Sequence, residues 1–302
     1  MCTAIAIRGK EKFYFGRNMD IYYPLGFETA RIDGERGFEF SCGRRLARCH
    51  SVVGTAVVSG GYPLYADAMN GSGLCMAGLE FPEYAHYAEL ATKGKTAVSP
   101  YEFIAWILTQ CASVDEAEAL LIGSCLVNCP FSESLPLTPL HWMIADRRRS
   151  IVVESVRDGM RVYGCDCNVL ANAPDFQFHT VNLRQFGALT SIQPSGDGAF
   201  GAPFSSGFGA IGLPGDFSSA SRFVKAAFVT KNAEAVIDES KDGASELFRA
   251  LFSVAVPMGT VKTKSGADNV TVYTSCMDTV EGKYYRLPYE LGGIIAECGW
   301  DV

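Results

Sequence analysis

The sequence has no apolar run approaching the ~20 residues of a membrane-spanning helix, so no such span is expected. Basic charge is also in short supply. There are 26 Lys and Arg against 33 Asp and Glu, a net charge of −7, and nucleic acid is therefore not an expected partner. The one basic run, Arg147-Arg148-Arg149, lies between two strand-like segments and reads as a solvated turn. Histidine is scarce, and His50, His86, His141 and His179 are scattered. Cys165 and Cys167 form C-x-C and Cys125 and Cys129 form C-x-x-x-C, but neither has a second pair at zinc-site spacing. No metal or other cofactor is expected. The first 20 residues lack the apolar core of a signal peptide and carry Arg8, Lys10, Glu11, Lys12, Arg17 and Asp20. Eleven cysteines, an odd number in a chain of this size, then read as mostly buried, reduced thiols of a cytoplasmic protein. Repeats, low-complexity linkers and composition breaks are missing too, so residues 1–302 read as one domain.

What is there is a globular balance, 48% hydrophobic and 20% charged, in a chain long enough to bury a substantial core. Thr3–Ile7 and Lys12–Phe15 flank Gly9-Lys10 and predict a β-hairpin, with Cys2 at the outer end of its first strand. Residues 24–50 are polar and read as loop with short strands. Ser51–Val58 and Leu74–Leu79 read as buried strands, Tyr62–Asn70 as loop. Ser99-Pro100 opens a helix through Gln110, and Ser113 with Glu116 makes a capping box for a second helix to about Ile122. His141–Ala145, Ile151–Val156 and Met160–Tyr163 read as a β-meander, and Val169-Leu170 runs into Asn172-Ala173-Pro174. Residues 193–219 are rich in Gly and Pro and are expected to form a mobile lid and assembly loop. Ser221–Thr230 and Ser245–Val256 carry helical spacing, while Val270–Cys276 and Lys283–Leu287 carry strand pattern. Strands, helices, strands and helices in that order predict an α+β domain of two sheets with helices on their outer faces.

The stretch with chemical promise is Met1-Cys2-Thr3. Removal of Met1 would leave Cys2 with a thiol and a free α-amine, whose pKa of roughly 7.7–8.0 keeps a sizeable fraction neutral near pH 7. Nucleophile and base would then be built into one residue. By position alone, a small apolar residue starting a strand is the commoner explanation. The hairpin also returns Gly16-Arg17-Asn18-Met19-Asp20 to the level of Cys2. A guanidinium there would attract the charge of a thiolate, and a carboxylate would hold the α-ammonium. An ion pair at a strand end is the ordinary alternative.

Several motifs, in order along nearly the whole chain, carry a resemblance to a known family. They are Met1-Cys2-Thr3, residues 16–20, His141-Trp142-Met143-Ile144, Asn172-Ala173-Pro174, residues 212–223 and Tyr273-Thr274-Ser275-Cys276-Met277. Together they resemble choloylglycine hydrolases, the bile-salt hydrolases and penicillin V acylases of the N-terminal nucleophile class. The resemblance implies a four-layer αββα sandwich that cleaves a linear amide. It implies Cys2 as nucleophile flanked by Arg17 and Asp20, Asn172 as a side-chain donor to the oxyanion, and Arg222 completing the polar shell. The backbone N–H of position 80 would be the second oxyanion donor. Taken alone, Asn172 reads as a turn residue ahead of Pro174 and Arg222 as a helix-surface charge. Adjacency to the motifs nominates Met19, Ile21, Tyr22, Tyr65 and Leu140 as an apolar lining for a steroid-sized acyl group.

Three departures qualify the resemblance. Position 80 is Glu, where bile-salt hydrolases commonly have Asn and penicillin V acylases often Tyr, and a carboxylate there would repel an anionic leaving group. The chain ends at Val302, some tens of residues short of relatives. An attached Met1 would turn the required amine into an amide. The leading expectation is hydrolysis of conjugated bile salts by a homotetramer. An acylase for penicillin V or another linear amide is the alternative. A catalytically silent binding protein is disfavoured, because it would have no need to keep Cys2, Arg17, Asp20, Asn172 and Arg222 together.

Overall fold

Seven residues of alternating small and branched side chains, Cys2–Arg8, pair with Phe13–Ile21 in the N-terminal hairpin, the expected strands extended at both ends. The computed structural model describes residues 1–23, 25–133, 135–194 and 206–290, with the backbone of Ala296–Gly299. In chain order the strands of the two main sheets are β1 (Cys2–Arg8), β2 (Phe13–Ile21), β3 (Glu28–Ile32), β4 (Val52–Ser59), β5 (Tyr62–Asn70), β6 (Cys75–Glu80) and β7 (Leu140–Ala145). They continue with β8 (Ser150–Val156), β9 (Gly159–Gly164), β10 (Val169–Leu170), β11 (Val270–Asp278), β12 (Lys283–Pro288) and β13 (Ala296–Gly299). One sheet runs β10-β1-β2-β11-β12-β13 and the other β9-β8-β7-β6-β5-β4-β3, with every pairing antiparallel.

Period-2 alternation decides what each strand faces. On β6, Cys75, Ala77 and Leu79 point at the first sheet, while Met76 points the other way; on β7, Met143 and Ala145 face inward and Trp142 and Ile144 outward. The outward set packs on helices α1 (Phe103–Leu108) and α2 (Val114–Ile122). Short helix α3 (Phe176–Leu183) precedes α4 (Ser219–Glu234) and α5 (Gly243–Phe252). Phe223, Ala226 and Ala227 of α4 and Leu247 and Leu251 of α5 cover the outer face of the first sheet. The layers run helix, sheet, sheet, helix. The central strands are buried on both faces, which is why β2 carries buried residues along its whole length.

Of the elements that sequence reasoning missed, two bear on the site. Tyr62–Asn70 is a strand inside the second sheet, not a loop. Its Asp67 and Asn70 look like loop residues, but burial satisfies both. Asp67 accepts from Tyr273 and Tyr284 at 2.6 Å each, and Asn70 donates to the carbonyls of Leu108 and Cys111. Helix α3 was not anticipated, and it is started by Asp175, which accepts from the Phe178 N–H. The first outer helix is shorter than expected, a 3-10 turn over Pro100–Glu102 running into α1. Within the expected lid, residues 195–205 lie outside the described residues. Around them the segment ends in a Ser218 cap on α4.

Candidate active site

Strand geometry brings the sequence-predicted residues together. Cys2 opens β1, is 1% exposed, and sits opposite Met19 of β2, whose sulfur lies 3.9 Å from the Cys2 sulfur. Along β2 the odd positions face the second sheet and the even ones face the helices. Arg17 is fully buried between the sheets, donating to the carbonyls of Gly78 at 2.6 Å and Ala66 at 3.2 Å. Asp20 lies on the helix side. One of its carboxylate oxygens accepts from Thr271 at 2.6 Å; the other is buried without a hydrogen-bond partner among the described residues. The Met1 ammonium donates to the backbone carbonyl of Asp20 at 2.7 Å and lies 3.2 Å from Glu80 Oε2. With Met1 attached, it is this carbonyl of Asp20, not its carboxylate, that receives the N-terminus.

Asn172 joins the parts. Its Oδ1 accepts from the Cys2 N–H at 2.6 Å and from the Arg222 guanidinium at 2.7 Å, which fixes the orientation of the amide. Its Nδ2 donates to the Glu80 carbonyl at 2.8 Å, a bond that takes one of the two N–H donors of that nitrogen. Arg222 is buried on the first turns of α4 and also donates to the Cys2 carbonyl and to Thr3 Oγ1. It is thus no surface charge. Ser219 and His179, which sequence reasoning did not single out, hold the backbone of Asn172. Ser219 Oγ donates to its carbonyl at 2.8 Å and accepts from its N–H at 3.0 Å, and His179 Nε2 lies 2.8 Å from the same carbonyl.

Four buried charges balance one another across the site. Burial alone would lower the pKa of Arg17, but the surrounding acidic groups, with the carboxylates of Asp67 and Asp20 among them, hold it above its ordinary value. Burial raises Asp67, opposed by Arg17 and by hydrogen bonds from Tyr273 and Tyr284. Burial likewise raises Asp20, opposed by Arg222, the Thr271 hydrogen bond and the N-terminus, and it lowers Arg222 against the charge of Asp20. Asp67 sits behind Arg17, and the apparent loop around Tyr62–Asn70 concealed it from sequence reasoning.

In front of Cys2 opens a largely apolar cavity that is partly open to solvent. Met19, Ile21, Tyr65 and Leu140 line it; Tyr22 does not, and is 52% exposed. Alternation explains the difference. Positions 17, 19, 21 and 23 share a side, so Tyr23 takes the place expected for Tyr22. Leu25, Phe27, Phe131 and Leu137 add apolar wall.

The family model for linear amide C-N hydrolases, choloylglycine hydrolase family, matches residues 2–295, beginning at Cys2. The chain belongs to the choloylglycine hydrolase family. A bile salt hydrolase/transferase of Lactiplantibacillus plantarum is 38% identical over 295 residues, covering 96% of this chain and 90% of that protein. One from Clostridium perfringens is 38% identical over 301 residues, with the same coverage. The crystal structure of a mutant conjugated bile acid hydrolase from Clostridium perfringens superposes with a TM-score of 0.91 at 35% identity, covering 100% of this chain and 93% of that one. A penicillin V acylase from Agrobacterium tumefaciens, at 19% identity, 95% and 83% coverage and a TM-score of 0.74, shares the fold. The four-layer α+β sandwich of N-terminal nucleophile hydrolases is thereby established, and with it a hydrolase of linear amides.

In this choloylglycine hydrolase, His179 gives a pH prediction. The ring is buried, stacked on Phe223 at 4.7 Å, and burial lowers its pKa from 6.5 to about 4. The folded protein therefore holds it neutral while the unfolded chain protonates it, so its contribution is complete above pH 6.5 and is lost as pH falls toward 4. On the order of 3 kcal/mol of stability should disappear across that window. Chemical denaturation of His179→Gln between pH 7 and 4 should show a shallower loss than the parent chain.

Proposed function

We propose that this choloylglycine hydrolase cleaves the amide bond of glycine- and taurine-conjugated bile salts, with Cys2 as the nucleophile once Met1 has been removed. The observation that carries the reading is the Asn172 side chain. It ties the Cys2 N–H, the Arg222 guanidinium and the Glu80 carbonyl into one constellation at the mouth of an apolar cavity. The bile-acid substrates named for the Lactiplantibacillus and Clostridium relatives support the same choice.

In this reading the Cys2 sulfur attacks the amide carbonyl carbon and forms a C–S bond. The thiol proton passes to the Cys2 α-amine and from there to the departing nitrogen as the C–N bond breaks. Water then attacks the thioester, giving its proton to the same amine. The C–S bond breaks and the bile acid leaves. Asn172, through its remaining N–H, and the backbone N–H of Glu80 would hold the oxyanion at each tetrahedral stage. Arg17 and Arg222 supply positive charge behind the sulfur, and Asp20 balances them. Met19, Ile21, Tyr65 and Leu140 would hold the steroid, with Tyr23 in place of Tyr22. The ten cysteines among the described residues are all free thiols, in keeping with a reducing cytoplasm, and family resemblance supports a homotetramer.

Glycocholate, taurocholate and penicillin V, each incubated with protein whose Cys2 N-terminus has been verified by mass, test the substrate class. Release of glycine and taurine is expected. Cleavage of penicillin V alone would move the enzyme to the acylases.

A further inference from the structure

Glu80 ends β6 at the cavity mouth, and its carboxylate is the feature that the family resemblance leaves unexplained. Among the described residues lining the cavity, only Arg17 and Glu80 are formally charged. The Arg17 guanidinium is fully buried and donates to the Ala66 and Gly78 carbonyls, whereas the Glu80 side chain keeps 32% of its surface exposed. Among the lining side chains, the charge shown to a ligand is therefore negative. It is already seen holding a cation, because the primary ammonium of Met1 lies 3.2 Å from Glu80 Oε2 and donates to the Asp20 carbonyl at 2.7 Å. Removing Met1 takes that ammonium away and makes the Cys2 nitrogen, which in the unprocessed chain donates to Asn172 Oδ1 at 2.6 Å, the new N-terminus. The Glu80 carboxylate then loses the one hydrogen-bond or ion-pair partner found for it among the described residues. Tyr23, whose hydroxyl is raised first by burial and then by the charge of Glu80, adds an aromatic ring to the same wall, a second surface that favours cations.

We infer that Glu80 is a specificity-determining residue that makes the amine half-site of this enzyme select amides whose amine component carries a positive charge, such as a diamine or a basic amino acid, over those carrying a carboxylate or sulfonate. The inference rests on the reading of the cavity as a bile-acid amide site and concerns only the amine side of the scissile bond. An ammonium placed where that of Met1 sits is attracted by Glu80, and a sulfonate at the same place is repelled, so the two effects add in the ratio of rates.

The test compares taurocholate with the amide of cholic acid and ethylenediamine, which keeps the two-carbon spacer and exchanges sulfonate for ammonium. In the mature enzyme kcat/KM should favour the ethylenediamine amide by roughly tenfold or more, and the advantage should shrink as salt is added. Glu80→Gln, which removes the charge and keeps the shape, should bring the two substrates to within roughly threefold of each other. A mature enzyme that prefers taurocholate, or a ratio that Glu80→Gln does not move, would overturn the inference and leave the bile-salt reading standing. Calorimetric binding of both amides to Cys2→Ala separates the remaining outcomes. Tighter binding of the cationic amide without turnover in the parent supports the half-site and removes the proposed reaction, while binding of neither amide removes both.

Discussion

Cys2→Ala should abolish amide cleavage, lowering kcat by at least roughly 10⁴-fold with little change in the binding of substrate. The loss should be this large because among the described residues no other thiol shares the cavity. Cys2 is the one cysteine in its lining, and Cys75, Cys111, Cys165 and Cys276 are buried, their thiols pushed up in pKa by burial. The fold should survive the substitution. The Cys2 backbone keeps its bonds to Asn172 and Arg222, and the side chain gives up only its contact with the Met19 sulfur. Cys2→Ser should be nearly as inactive, since a hydroxyl is a much weaker nucleophile than a thiolate at neutral pH. Chains that retain Met1 should be inactive as well, because their nitrogen at position 2 is an amide and the Met1 ammonium fills the cavity mouth between Glu80 and the Asp20 carbonyl. Steady-state kinetics on mass-sorted preparations reads all three.

The second large effect is expected at Asn172. Asn172→Ala removes an oxyanion donor and should cost about 10²–10³ in kcat, or ~3–4 kcal/mol of transition-state stabilisation, with KM moving little. It also strands two buried donors, the Cys2 N–H and one nitrogen of Arg222. A buried donor without a partner costs on the order of 1–3 kcal/mol, so a lower unfolding midpoint should accompany the lost rate. The two effects separate in Ser219→Ala, which loosens the Asn172 backbone but leaves its side chain in place. That variant should lose stability and only a small part of kcat.

Much of this site was legible in the sequence, for a geometrical reason. A tight hairpin fixes the level at which Arg17 and Asp20 meet Cys2, so spacing alone places them, and the observed register of Cys2 against Met19 agrees. Asn172 and Arg222 are 170 and 220 residues from Cys2, and no local rule joins them; only resemblance to the choloylglycine hydrolases brought them to the N-terminus. Tyr22 could have been exchanged for Tyr23 from the period-2 pattern of β2 alone. Asp67 and Asn70 were harder. Polar residues near Pro63 signal a loop, and here a buried strand tolerates them because Tyr273, Tyr284 and the end of α1 supply partners from distant parts of the chain. Ser219 and His179 carried no signal beyond a capping pattern, because their task is to hold a backbone carbonyl.

The central claim is that an acyl group passes through the Cys2 sulfur. Rapid acid quenching of the mature enzyme during turnover of glycocholate, followed by mass analysis of the N-terminal peptide, tests it most directly. A cholyl group is expected on the peptide that begins at Cys2, released by hydroxylamine and missing from Cys2→Ala. Turnover at the full rate with an unmodified Cys2 peptide, or a cholyl group on any other residue, would contradict it.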